Sequence, residues 1–192
     1  MFYIYIIIIF LCLAASIINK VARQRLLWIY FTFILLSEIL VFTQILENNF
    51  YNKANCIHII FLSWYFHKEF FKRNFYKILL IIICIISFGL LFEQNIVKID
   101  TNIFKSFVFI FLSIDWFVSQ IKNPNETLIY HKITFWISSS ILLWSTIFII
   151  RVIPGHFFAE LDMDFLMLIN YFYQIATIFS YLIILKGLFC KQ

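Results

Sequence analysis

Charge is scarce in this chain: 13% of its 192 residues are charged. A soluble domain usually carries about a quarter charged residues, so an ordinary soluble fold is excluded. Glycine and proline are nearly missing, with three and two copies. Gly89, Gly155, Gly187, Pro124 and Pro154 fall toward the ends of apolar runs or between them, so no run is broken near its middle. Centrally broken helices mark many secondary transporters, and their absence from the pattern argues against that class. Few glycines also mean few sites for close backbone packing between helices. The cysteines Cys12, Cys56, Cys84 and Cys190 are far apart and form no CxxC pair, so they read as small hydrophobes. No HExxH, GxSxG or Walker sequence occurs, and no catalytic residue, metal or cofactor is expected. The net charge of +5 comes from dispersed cations, which excludes a nucleic-acid-binding face.

What is present is hydrocarbon. Apolar residues make up 64% of the chain, aromatic residues 21%, and the mean hydropathy is +0.95. The apolar stretches are long and continuous, unlike the short alternating segments of a β-barrel. The expected fold is therefore all-α, a polytopic transmembrane bundle of seven helices forming a single domain over residues 1–192. The runs cover roughly 2–18, 26–46, 54–67, 77–93, 103–120, 133–153 and 165–185. The third is the least apolar, since it contains His58, Ser63 and Trp64. Seven spans leave only about 50 residues outside the bilayer, too few for a soluble catalytic or nucleotide-binding domain.

Charge between the runs sets an orientation. Lys20, Arg23 and Arg25 make the first link basic, and Lys68, Glu69, Lys72, Arg73 and Lys77 make the third basic. The second link (Glu47, Lys53) and the fourth (Glu93, Lys98, Asp100, Lys105) are neutral. The fifth, with Lys122, Glu126 and Lys132, is again positive; Arg151, Glu160, Asp162 and Asp164 make the sixth acidic; the tail carries Lys186 and Lys191. Because basic links stay in the cytoplasm, the N-terminus is expected outside and the C-terminus inside. Met1 to Leu11 carries no side-chain charge and the cations follow it, so the first run is expected to be retained rather than cleaved as a signal, despite Ala14-Ala15-Ser16. Tyr3, Tyr5, Trp28, Tyr30, Trp64 and Tyr65 read as interfacial anchors.

An ionisable residue inside a span is a candidate functional group, and two acids qualify, Glu38 and Asp115. The last run holds Asn170, Tyr173, Gln174, Thr177 and Tyr181 on one helical face. Such a stripe must face the bundle interior, because lipid offers no hydrogen-bond partners. Depth along the helices puts Glu38, His58, Asn170 and Gln174 in one outer layer. Glu38, His58, Asn170, Tyr173, Gln174 and Thr177 are thus a candidate ligand or proton site, with interhelical hydrogen bonding as the competing reading. Asp115, Ser138 and Ser139 form a candidate inner polar layer; for Asp115 alone, snorkelling to the cytoplasmic face competes. His156, Glu160, Asp162 and Asp164 have the ligand types of a divalent-cation site but not the spacing of one.

The stretch from Asn123-Pro124 through Phe135-Trp136-Ile137, followed by an aromatic-rich run, a short link and a last Asn/Gln-bearing helix, resembles small multi-helix membrane proteins of Bacteroidetes bacteria. Its layout is also similar to the seven-helix sensor regions that precede histidine kinases. The resemblance covers about the last third of the chain. It implies signal reception passed to a separate kinase or regulator. Only Lys186 to Gln192 follow the last run, so signalling is expected to need contacts with another chain. Heavy use of Ile, Phe, Lys and Asn points to an AT-rich, bacterial genome. The expected function is a sensor-like or accessory subunit of a bacterial inner membrane, partnered by lipid and by another membrane or cytoplasmic protein such as a histidine kinase. The alternatives are a small transporter or channel-like protein using Glu38 and Asp115, and, third, a membrane enzyme acting on lipid. The links Lys20–Arg25 and Lys68–Lys77 are the expected docking surface.

Overall fold

The computed structural model describes residues 2–46, 50–67, 74–92, 101–123, 128–157 and 163–190, with side chains described except at 74–77, 90–92 and 155–157. The fold is all-α: eight α-helices and a short 3-10 turn, with no strand among the described residues. In chain order they are α1 (Phe2–Ile18), α2 (Lys20–Gln24), α3 (Leu27–Phe42), α4 (Phe50–His67), α5 (Asn74–Phe92), α6 (Thr101–Lys122), α7 (Ile133–Phe157) and α8 (Met163–Leu188). The 3-10 turn, Ile129–His131, leads into α7.

Seven of these helices have 16 residues or more and stand where the seven apolar runs were expected. Among the described residues, three of them are long and apolar enough to cross a membrane: Thr101–Lys122, Ile133–Pro154 and Met163–Leu188. This corrects the expectation of seven. Phe2–Ile18, Leu27–Phe42 and Ile78–Gly89 are apolar but shorter. At a rise of 1.5 Å per residue, α1 and α3 reach only about 25 Å, against a hydrocarbon core of about 30 Å. In α4, Asn52, Lys53, Asn55 and His58 dilute the apolar character.

Local signals explain the helix ends. Asn19 caps α2, its Oδ1 accepting from the Val21 and Ala22 amides at 3.0 Å. The apolar run expected to reach residue 46 stops being helical at Phe42. There Ile45 N–H donates to Leu40 C=O at 3.1 Å and Gln44 takes φ 59°, a left-handed helix stop. Pro154 and its neighbours, expected just beyond a helix, lie inside α7. Proline cannot donate to the carbonyl four residues earlier, so the Ile150 carbonyl loses that partner.

Six helices form a ring. α1 packs on α3 and α8, α8 on α7, α7 on α6, α6 on α4, and α4 closes the circle against α3. α5 stands outside the ring, packed on α4. The serines spread through the apolar helices are mostly satisfied within their own helix: Ser37, Ser87, Ser106, Ser113, Ser139 and Ser180 donate to the carbonyl four residues back. Ser140 is an exception, donating across to Ser180 C=O at 2.8 Å and so tying α7 to α8.

A polar cavity with an apolar floor

The ring encloses a cavity of about 630 Å³. Each of its six helices contributes to the wall, and α5 contributes none of its described residues. The wall includes Tyr5 of α1, Glu38 of α3, Tyr51 and His58 of α4, Lys105 of α6, Arg151 of α7 and Tyr173 of α8. These positions lie toward one end of the bundle, where α1, α4, α6 and α8 begin and α3 and α7 finish. On α7 the lining runs from Arg151 to Ser140, a depth of about 16 Å.

Beyond the lining, α3, α4, α6 and α7 present fully buried side chains, most of them apolar. Phe109 lines the cavity and Leu112 and Trp116 lie beneath it; Ile34 lines it and Phe31 and Leu27 follow. Beneath His58 are Leu62, Tyr65 and Phe66, and beneath Ile141 are Ile137 and Ile133. The cavity is therefore a pocket with a packed floor.

Its polar groups are held in defined geometry. Tyr5 donates to Glu38 Oε1 at 3.1 Å and Tyr51 to Oε2 at 3.0 Å, so two other helices grip the carboxylate of α3. Lys105 is buried, and its Nζ donates to Asn55 Oδ1 at 2.6 Å and sits 4.4 Å above the Trp144 ring. Asn55 is itself oriented by donating to Asn102 Oδ1 at 2.7 Å. Thr101 donates to Asn52 at 3.1 Å, which extends this amide network along the α4–α6 seam. Arg151 lies with its guanidinium 4.6 Å over the Tyr173 ring. Trp144 stacks on Phe148 at 5.3 Å, and Tyr173 meets Phe148 edge-on at 5.9 Å. The His58 ring is wedged between Tyr30 and Phe33, both at 5.4 Å, and its Nδ1 is buried with no hydrogen-bond partner among the described residues.

Of the six residues expected to form a ligand or proton site, Glu38, His58, Tyr173, Gln174 and Thr177 line this one cavity. Asn170, a turn nearer the start of α8, is half-buried and outside the lining. Thr177 spends its hydroxyl on the Tyr173 carbonyl at 2.9 Å. The candidate inner layer does not assemble: Ser139 donates to Phe135 C=O, Ser138 Oγ is buried with no partner, and no hydrogen bond joins either to Asp115 among the described residues. None of the three lines the cavity. Tyr5 and Tyr30, expected as interfacial anchors, face the cavity, whereas Tyr3 is 73% exposed.

Sequence reasoning missed Lys105, Arg151, Asn55 and Tyr51 as site residues. Lys105 and Arg151 had been counted with the links, but both are helical and line the wall. The signal that finds them is their phase: Lys105 shares a helical face with Phe109, and Arg151 with Trp144 and Phe148. Of the candidate cation ligands, His156, Glu160 and Asp162 fall outside the described side chains, and no group of three metal-ligating residues occurs among the described ones. The basic link 68–73 also lies outside the described residues, and the Lys77 side chain is not described. In the other basic link, Lys20 and Arg23 are exposed, while Arg25 turns inward to Thr134. No known protein family, curated protein or solved structure matches the chain.

Proposed function

We propose that this chain is a multi-pass protein of a bacterial inner membrane, N-terminus outside and C-terminus cytoplasmic, that receives a ligand in its polar cavity and reports occupancy to a separate partner protein. One observation carries the reading: charged and amide side chains from five helices, joined by Tyr5 of a sixth, converge on one pocket above a tightly packed end of the bundle. Charges are retained inside a bilayer only where they line a cavity or pair with one another. A floored pocket suits binding, whereas conduction needs a second opening. The described part of the docking surface is then Lys20 and Arg23, on the basic side of the protein.

In vivo crosslinking followed by purification checks this reading, with solute flux measured on the same protein in proteoliposomes. Capture of one membrane or cytoplasmic partner, without flux, is the expected result. Flux abolished by Glu38→Gln would replace it with the transporter reading. Orientation has its own test at Cys190, which is half-buried at the end of α8. A membrane-impermeant maleimide should label Cys190 in inverted vesicles and not from outside.

A further inference from the structure

The charge on the cavity wall is unbalanced. Among the described lining residues, Lys105 and Arg151 bring two cations against the one carboxylate of Glu38, and with histidine counted neutral these residues sum to +1. The three groups are also unequally engaged. Glu38 accepts from two tyrosines and Lys105 donates to Asn55, but the guanidinium of Arg151 has no hydrogen-bond or ion-pair partner among the described residues. Only the face of the Tyr173 ring lies under it, which leaves the in-plane donors of the fork open. A planar fork with open donors in a low-dielectric pocket matches the geometry of an oxyanion. Part of the wall is apolar and aromatic, formed by Trp144, Phe148, Ile141 and Ile178.

From this juxtaposition we propose that the cavity takes an amphipathic monoanion, whose one oxyanion group lies on Arg151 and whose apolar body packs along Trp144 and Phe148. A charge of minus one neutralises the wall, whereas a phosphate monoester dianion overshoots it. A volume of about 630 Å³ lies within the usual range of small-molecule pockets, so a body the size of a phenylalkyl or branched alkyl chain fits. Two sources supply this chemistry, a free organic carboxylate and the phosphodiester headgroup of an anionic lipid. The proposal rests on reading the cavity as a ligand site, but not on the existence of a partner protein.

The test uses the full chain in phosphatidylcholine nanodiscs and tritiated 3-phenylpropanoate, with 3-phenylpropanamide as a neutral competitor of the same shape. The acid is expected to bind, and the amide to compete about tenfold more weakly or worse, as loss of a charge-assisted contact requires. Arg151→Gln should weaken the acid by about tenfold or more and leave the amide unchanged, with Arg151→Lys recovering part of the loss. Phosphatidylglycerol added to the disc distinguishes the sources. If it displaces the acid, the occupant is a lipid headgroup; if it does not, the occupant is a free solute. Equal binding of acid and amide by the unaltered protein would overturn the anion assignment while leaving a ligand site in place. So would failure of the acid to bind at millimolar concentration. Because that comparison needs no variant, misfolding of Arg151→Gln does not protect the proposal. A failed search for a partner, with the acid bound, would remove the sensor reading and leave this one standing.

Discussion

Gly187 of α8 lies directly against Trp136 of α7. A Cβ added to the glycine would collide with the tryptophan Cβ and come within 2.7 Å of its Cγ. The same indole is covered by Lys186, whose Nζ is 4.5 Å from the ring centre, and its Nε1 donates to Tyr130 C=O at 2.8 Å. Here the chain uses one of its three glycines for the close backbone approach that its composition makes scarce.

Gly187→Ala should therefore destabilise the protein by about 1–3 kcal/mol, as overpacking does at a filled contact. Gly89→Ala is the matched control. A Cβ there meets nothing within 4 Å, and the gain in helix propensity should raise stability by up to about 1 kcal/mol. Unfolding in mixed micelles, followed by far-ultraviolet circular dichroism, separates the two. Equal effects would contradict the packing described.

Arg25 joins three parts of the chain. Its Nη1 donates to Thr134 Oγ1 at 3.0 Å and to Tyr65 OH at 3.4 Å, and the two hydroxyls lie 3.2 Å apart. Thr134→Val removes an acceptor from a charged donor and should cost about 1–3 kcal/mol. In a double-mutant cycle, Arg25→Met with Thr134→Val should cost less than the sum of the single changes, because the two residues share one bond.

The Lys105–Asn55 pair should respond asymmetrically. Asn55→Leu takes the 2.6 Å acceptor from a buried ammonium, whereas Lys105→Met removes the charge along with the contact. Taking an acceptor from a buried donor typically costs about 1–3 kcal/mol and more when the donor is charged, while apolar replacement of both the charge and its contact is milder. Asn55→Leu is expected to be the less stable variant in the same unfolding assay.

Gln44 ends α3 with φ 59°, a conformation that disfavours a residue bearing a Cβ. Gln44→Gly should stabilise the protein by about 0.5–1 kcal/mol, and Gln44→Val should destabilise it. Thermal midpoints of the two variants, measured against the unaltered chain, decide the matter.

The sequence exposed those site residues that contrast with their surroundings. Glu38 and the Tyr173–Gln174–Thr177 stripe stand out because polar side chains in an apolar run must face inward. Lys105 and Arg151 did not stand out, because they sit within a turn or two of helix ends, where a cation is equally well explained by a link or by snorkelling. The seven long helices were legible for the same reason as the stripe. The lengths of α1 and α3 were less so, since a helix stop at Gln44 depends on backbone conformation rather than on hydropathy. Asp115, Ser138 and Ser139 share a depth, but depth does not fix which way each helix is rotated. Serine also satisfies itself on its own backbone. Asn170 was misplaced by about one turn for a related reason: a stripe on one helical face continues beyond the end of the cavity it lines.

The packed floor also carries a kinetic meaning. With Leu112, Trp116, Ile133 and Ile137 packed across the far end among the described residues, the end marked by Arg151 and Tyr51 is the way in and out for an occupant. Its residence time is then governed by the rim, where Arg151 and Tyr51 stand, and substitutions there should change the entry and exit rates together. Substitutions deeper in the wall, such as at Trp144, should act chiefly on the exit rate.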